Sequence, residues 1–146
     1  MNDLSFTFTV DQTPEQAFAA INNVRGWWSE AIEGDTGKLG EEFTYRYKDL
    51  HYCKLKLTEV VSNRKVVWLV LDNHFNFTED KSEWKGTEIT FEISKKGNQT
   101  EIRFTHLGLV PEYECFDICS NAWGSYLNGS LRSLIATGQG KPNQKE

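Results

Sequence analysis

The chain has 146 residues and a formal net charge of −5, and 25% of its residues are charged. A negative protein lacks the basic surface that neutralises phosphates, so this charge excludes a general nucleic-acid binder. No run of about 18 apolar residues is present and the N-terminus alternates from its start, which predicts neither membrane insertion nor a signal peptide. Aromatic residues make up 13% of the chain, and so many rings either fill a core or line a cavity.

The three cysteines are Cys53, Cys115 and Cys119. An odd count without an export signal is typical of reduced thiols, and we therefore expect a cytoplasmic protein. Cys115 and Cys119 are four residues apart on a predicted helix and share one face. With Cys53 and His106 they could be drawn as a metal site, but structural zinc sites usually contain tight C-x-x-C pairs. We predict buried thiols and no metal.

The N-terminal part predicts a strand followed by short helices. Residues 4–10 alternate between apolar and polar side chains, which is the period of an amphipathic strand. Thr13 is a suitable N-cap, Pro14 suits the first helical position, and Gln16 completes a capping box. Gly26 interrupts the helical pattern, and one further turn follows it.

From about residue 43 to residue 107 the apolar period is two for most of the length. The segments that predict strands are EFTYRYK, YCKLKLTEVV, KVVWLVLD, TEITFEIS and NQTEIRFTHL. Turn residues separate most of them, which indicates an antiparallel meander. Between Asp72 and Gly86 the sequence predicts a long polar loop with aromatic anchors, suited to a lid or rim of a site.

The last element is predicted to be one amphipathic helix from Pro111 to Thr137, because apolar residues recur there at spacings of three or four. Gly124 and Gly129 lie inside it and predict a close backbone approach or a bend. The polar residues 139–146 predict a flexible C-terminal tail.

The order of these elements predicts an α+β fold in which an antiparallel sheet curves around one long C-terminal helix, with two short helices after the first strand. We expect a single domain over residues 1–138. Space that remains between the sheet and the long helix would form a cavity, and cavities of this kind bind ligands.

Several segments carry a resemblance to a known family. They are EWKGTEITFEI and FTHLGLVPEYECFDICSNAWGSYLNGSLRSLIATGQGKP, with TPEQAFAAI and VRGWWS nearer the N-terminus. On these segments the chain resembles the START-like helix-grip superfamily (SRPBCC). Within it, the chain resembles small bacterial domains that are similar to the C-terminal part of the activator of the heat-shock-protein-90 ATPase.

The resemblance implies a helix-grip fold and no shared catalytic set. The chaperone activator has a further N-terminal domain that contributes to chaperone binding, for which this chain has no room. Relatives in the wider superfamily bind lipids, hormones or polyketides, and some are cyclases, so the fold leaves the function open.

His106 is the most distinctive polar candidate. It alternates in register with Ile102 and Phe104, so its side chain points inward. One hypothesis is a core histidine that is satisfied by a hydrogen bond; the other is a group that fixes a ligand or transfers a proton. No carboxylate is predicted near it on the inward face, since Glu92 and Glu101 point outward. This favours the structural hypothesis.

Aromatic residues complete the set of candidates, because rings with polar tips present hydrogen-bonding groups inside apolar surroundings. The cavity candidates are Trp28, Tyr45, Tyr47, Trp68, Phe75, Phe91, Phe104, His106, Trp123 and Tyr126.

We expect the protein to bind a small hydrophobic or amphipathic molecule without covalent chemistry and without a cofactor. Two alternatives stay open at this point. One is a stress-related protein-interaction module related to chaperone ATPase activators, with a chaperone or another protein as partner. The other is a cyclase-like or hydrolase-like enzyme that uses His106.

Overall fold

The computed structural model describes residues 4–47, 51–76, 84–109 and 116–142. The strands are β1 (Leu4–Val10), β2 (Glu33–Gly34), β3 (Glu42–Tyr47), β4 (His51–Val61), β5 (Lys65–Phe75), β6 (Glu88–Lys96) and β7 (Gln99–Leu107). The helices are α1 (Pro14–Asn22), α2 (Phe116–Gly124) and α3 (Arg132–Thr137), with a 3₁₀ turn at Val24–Gly26 and a π-helical segment at Ser125–Leu131.

All seven strands form one antiparallel sheet in the order β1-β7-β6-β5-β4-β3-β2. The predicted α+β architecture, with an antiparallel sheet and a long C-terminal helix, is confirmed. None of the helices in the described ranges is long and apolar enough to cross a membrane.

The start of α1 has the predicted capping box. The backbone N–H of Gln16 donates to Thr13 Oγ1 over 3.2 Å, and the Thr13 backbone N–H donates to Gln16 Oε1 over 2.9 Å. These two bonds satisfy donors that a helix N-terminus otherwise leaves unpaired. The helix then buries Ala17, Ala20 and Ile21 against the interior.

The first and last strands in the sequence are neighbours in the sheet. β1 pairs with β7, so that Phe6 lies opposite Phe104. β4 and β5 form the longest ladder, and its register shifts twice, between Lys54 and Leu55 and between Leu57 and Glu59. Such irregularities bend strands and increase their twist.

The polar loop predicted between Asp72 and Gly86 is wrong for its first residues, because β5 continues through Phe75. Residues 73–75 pair with residues 51–53 of β4, and the ladder hydrogen bonds outweigh the polar composition. Residues 77–83 lie outside the described residues, so the predicted lid is not described there. Trp84, near the end of the segment, is buried.

The C-terminal helix, by which we mean residues 116–137, agrees with the predicted element over its described part. Its central seven residues are π-helical, so that the Arg132 backbone N–H bonds to Leu127 O, five residues earlier. Gly138 ends the helix with a φ of 84°, a conformation that glycine adopts without strain. A Cβ at Gly124 would lie 3.6 Å from the Phe6 ring, an ordinary contact, so the helix passes directly over β1.

The predicted flexible tail begins differently from the prediction. The Lys141 backbone N–H donates to Ser130 Oγ over 2.7 Å, and Ser133 Oγ donates to Gln139 O over 2.7 Å. A Cβ at Gly140 would collide with Gly26 O. Residues 139–142 therefore lie against the domain, while residues 143–146 are outside the described residues.

Candidate functional site

A pocket of about 390 Å³ lies between the sheet and the C-terminal helix. Its walls come from β3, β4, β5, α2 and the π-helical segment, with single residues that follow the 3₁₀ turn and precede β6. The lining residues are Trp28, Tyr45, Tyr47, His51, Phe75, Trp84, Ile118, Cys119, Ala122, Trp123 and Tyr126. The volume falls in the range of about 300–1,000 Å³ that is typical of small-molecule sites.

The periods of the flanking elements place these side chains. Tyr45 and Tyr47 are two residues apart on β3, so they extend from the same face of the sheet. On the helix, Cys119, Trp123 and Tyr126 recur at spacings of four and three and therefore share one face. The pocket lies where the two faces meet.

The centre of the wall is a stack of rings around Trp28. Its ring is parallel to that of Tyr45 with centroids 4.2 Å apart, and parallel to that of Trp68 with centroids 5.8 Å apart. Trp123 approaches it from the helix at 5.2 Å. Tyr45 and Tyr126 connect sheet and helix through their hydroxyl oxygens, which are 3.2 Å apart. The rings thus hold one another in place around the pocket.

His51 is a polar residue of the wall that the sequence analysis did not single out. Its Nε2 lies 2.7 Å from Oδ1 of Asn73. Burial lowers the pKa of His51 to about 4, although the hydrogen bond to Asn73 acts in the opposite direction. The ring is therefore neutral at neutral pH and carries one donor and one acceptor.

His106 points inward as predicted and is fully buried, with 0% of its surface exposed. Thr87 Oγ1 uses its proton on the carbonyl of Trp84, so it must accept the Nε2–H of His106 across 2.8 Å. The indole N–H of Trp123 donates to Nδ1 across 3.2 Å. Both ring nitrogens are thus bonded, and the proton is fixed on Nε2.

This arrangement favours the structural hypothesis for His106 over the catalytic one. Burial, and secondly the nearby His51, lower the pKa of His106 to about 3. A second proton on Nδ1 would meet the Trp123 N–H instead of a lone pair. His106 therefore fixes two residues of the pocket wall, Trp123 directly and Trp84 through Thr87, and does not itself line the pocket.

The ten predicted cavity residues divide into two groups. Six line the pocket: Trp28, Tyr45, Tyr47, Phe75, Trp123 and Tyr126. The other four, Trp68, Phe91, Phe104 and His106, are completely buried behind it. Tyr47 packs against the hydrophobic core, and ring contacts made directly or through His51 and Trp84 join the other nine. A ligand-binding role for the first six stays a prediction.

Five residues of the wall were absent from that set: His51, Trp84, Ile118, Cys119 and Ala122. A signal existed for His51, since it precedes Cys53, Leu55 and Leu57 with the same period of two. Cys119 and Ala122 lie on the helical face that also carries Trp123. Trp84 had no periodic signal, because it lies in a polar segment.

The thiols behave as predicted where they are described. Cys53 and Cys119 are both buried, and burial followed by the charge of Asp72 raises the pKa of Cys53 well above its ordinary value. Cys115 lies outside the described residues. Within the part of the chain that the structure describes, no three His, Cys, Asp or Glu side chains are close enough to hold a metal ion.

The family model described as activator of Hsp90 ATPase homolog 1-like protein (AHSA1) matches residues 11–136. The chain belongs to this family. Its fold is the START-like helix-grip fold that the sequence segments predicted, and the solved structures below share it. No curated protein sequence matches the chain significantly.

Solved structures resemble the AHSA1 chain over almost its whole length. The Aha1 dimer from Colwellia psychrerythraea is 26% identical, with a TM-score of 0.76, and the match covers 96% of this chain and 100% of that one. Protein SSP2350 from Staphylococcus saprophyticus is 17% identical, with a TM-score of 0.63 and 95% of each chain covered.

DynU16, a putative protein in the dynemicin biosynthetic locus, is 10% identical with a TM-score of 0.71. The match covers 99% of this chain and 51% of DynU16. At such identity DynU16 and SSP2350 show the shared fold alone. A common fold accommodates many functions, so the pocket itself has to carry the functional argument.

Proposed function

We propose that this AHSA1-family protein binds a small hydrophobic or amphipathic molecule in the pocket between the sheet and the C-terminal helix, without covalent chemistry. The observation that carries the proposal is the pocket of about 390 Å³ with a wall built largely from aromatic rings. Each Å² of apolar ligand surface removed from water contributes about 25 cal/mol to binding.

The packing around the pocket supports this proposal. Trp84 and Trp123 stack with centroids 5.7 Å apart, and His106 and Thr87 fix both of them through hydrogen bonds. A wall that is already ordered loses little conformational freedom when a ligand enters, which favours affinity. The cost of an open pocket to the free protein is offset by the packed rings behind it.

The test uses a side chain that fills the pocket. Ala122 lies in the wall on α2, and Ala122→Phe would project a ring into the cavity. Uniformly ¹⁵N-labelled protein is titrated with fatty acids, sterols and uncharged aromatic compounds while ¹H–¹⁵N correlation spectra are recorded. We expect saturable shifts at the pocket residues in the natural protein and a loss of at least about tenfold in affinity in Ala122→Phe.

The matched control is Ala136→Phe. Ala136 lies on α3 and is exposed, so the same substitution changes helix propensity equally without entering the pocket. Its affinity should equal that of the natural protein. Spectra that move equally in all three proteins would show that the compounds bind elsewhere, and the proposal would then be wrong.

A second candidate is a protein-interaction role related to chaperone ATPase activators, which the family match and the 26% identity to the Colwellia Aha1 dimer favour. Co-elution with an Hsp90-type chaperone and a change in its ATPase rate are the expected results. A mixture that elutes as two separate proteins with an unchanged rate would remove this candidate. Either role is compatible with a cytoplasmic location, which the buried thiols of Cys53 and Cys119 support.

A further inference from the structure

The charge of the pocket wall restricts what it can bind. Among the described residues, the lining set contains no Lys, Arg, Asp or Glu. Its one titratable cation candidate, His51, is neutral because burial lowers its pKa to about 4. An anionic ligand would give up its hydration without gaining a cation, which is strongly unfavourable in apolar surroundings.

His51 gives this apolar wall a hydrogen-bond acceptor. Oδ1 of Asn73 can only accept, so the Nε2–H donates to it over 2.7 Å and the proton is fixed on Nε2. Nδ1 is therefore unprotonated, and no described residue donates a hydrogen bond to it. The rings of Tyr45, Phe75 and Trp84 surround the imidazole, with centroids between 4.4 and 5.3 Å away, and restrict its orientation.

His106 differs from His51 in how its Nδ1 is used. In His106 the corresponding nitrogen, Nδ1, accepts the indole N–H of Trp123, so its hydrogen-bonding capacity is used inside the protein. In His51 the same nitrogen is left for a molecule in the pocket. An apolar ligand that covers Nδ1 without supplying a donor would leave this acceptor unpaired, which is costly, whereas a ligand with a donor avoids that cost.

We infer that the ligand is an uncharged molecule that donates a hydrogen bond from a hydroxyl or N–H group to Nδ1 of His51, and that His51 selects it over molecules of the same shape. This inference rests on the proposed function and specifies the chemical class of its ligand.

The experiment compares three naphthalenes of similar size at neutral pH. 2-Naphthol is uncharged and has a donor, 2-methoxynaphthalene is uncharged without one, and 2-naphthoate is an anion. Dissociation constants are measured by isothermal titration calorimetry. We expect 2-naphthol to bind about tenfold more tightly than 2-methoxynaphthalene, the ratio that one additional hydrogen bond supplies, and 2-naphthoate to bind most weakly.

His51→Phe tests the residue itself, because it keeps a ring in the wall and removes the acceptor. The preference for 2-naphthol over 2-methoxynaphthalene should disappear while the affinity for 2-methoxynaphthalene is kept. His74→Phe is the matched control, since His74 is exposed on the other face of β5 and should leave the preference intact. In natural protein with ¹⁵N-labelled histidine, the Nδ1 resonance of His51 should shift with 2-naphthol only.

The outcomes distinguish a failure of this inference from a failure of the proposed function. Equal binding of 2-naphthol and 2-methoxynaphthalene by the natural protein would overturn the role of His51 while leaving pocket binding in place. Tightest binding of 2-naphthoate would overturn the requirement for an uncharged ligand. No binding of any of the three would contradict the proposed function together with the inference. The comparison on the natural protein decides these cases even if a variant does not fold.

Discussion

The two ends of the interior are built from the same kinds of side chains and are packed differently. At one end, Trp68, Phe91 and Phe104 are fully buried, and the Phe91 ring contacts the other two edge to face. At the other end, the rings that line the pocket, among them Trp28 and Tyr45, leave a space of about 390 Å³ between them. The difference teaches that aromatic content alone does not fill a core, because rings held apart by their elements leave a cavity.

The two inward histidines show the same contrast. His106 lies opposite Ile89 and Leu4 in the sheet, and both of its ring nitrogens bond to protein groups. His51 lies at the start of β4, with one ring nitrogen bonded to Asn73. A histidine on an inward register is therefore structural or ligand-facing according to how many of its two nitrogens the protein itself satisfies.

The largest effect on stability is expected when a phenylalanine at each end of the interior is replaced by alanine. Phe104→Ala in the packed end should lower the free energy of unfolding by about 3–5 kcal/mol. Phe75→Ala at the pocket should cost roughly half as much, because one side of that ring faces empty space and has fewer contacts to lose. Urea unfolding of both variants measures the difference. Equal losses would show that the pocket end is as tightly packed as the other.

Acid should destabilise the protein through both histidines. Their folded-state pKa values, about 4 for His51 and about 3 for His106, lie below the ordinary value of 6.5. The unfolded chain thus binds more protons in this range, so stability is fully present above pH 6.5 and is lost as the pH falls toward 3. The total loss is on the order of a few kcal/mol.

Urea unfolding as a function of pH checks this expectation. In His51→Phe, the part of the loss that falls between pH 6.5 and about 4 should become smaller. A variant curve that runs parallel to the natural one through this interval would mean that His51 titrates normally and is not held neutral by burial.

The smallest effect on stability is expected when each of the two inward histidines is replaced by phenylalanine. His106→Phe leaves the Trp123 indole N–H without its acceptor and should cost about 1–3 kcal/mol. His51→Phe breaks the one hydrogen bond to Asn73, leaves no indole N–H unpaired and should cost about 1 kcal/mol or less. Thermal unfolding ranks the two. A larger loss for His51→Phe would contradict the assignment of His106 as the structural histidine and His51 as the ligand-facing one.

Sequence periodicity predicted much of the fold. The period of two identified the main strands and the inward direction of His106, and the capping box at Thr13 identified the start of α1. It failed at 73–75, where pairing with β4 outweighs a polar composition. The two-residue strand β2 is too short to produce a period, and it was not predicted.

The pocket was less accessible to prediction. Periodicity says which side chains point inward, but not whether opposite side chains meet or leave a gap. Both Trp28 and Trp68 were predicted to line the cavity, yet Trp28 lines the pocket and Trp68 lies behind it. The π-helical segment at Ser125–Leu131, which adjusts which helix residues face inward, has no signature in the apolar spacing.

The pairing of β1 with β7 also governs how the chain can fold. Leu4 lies opposite His106, so the first strand finds its partner only after nearly the whole sheet sequence is available. During synthesis, β1 leaves the ribosome early, and it has no neighbouring strand to pair with while the next five strands are made. Contacts this distant in sequence are slow to form, because the entropy of closing the loop is lost before the contact forms. Folding is therefore expected to finish at the junction of β1 and β7, and a nascent chain without β7 keeps an exposed strand edge that favours aggregation.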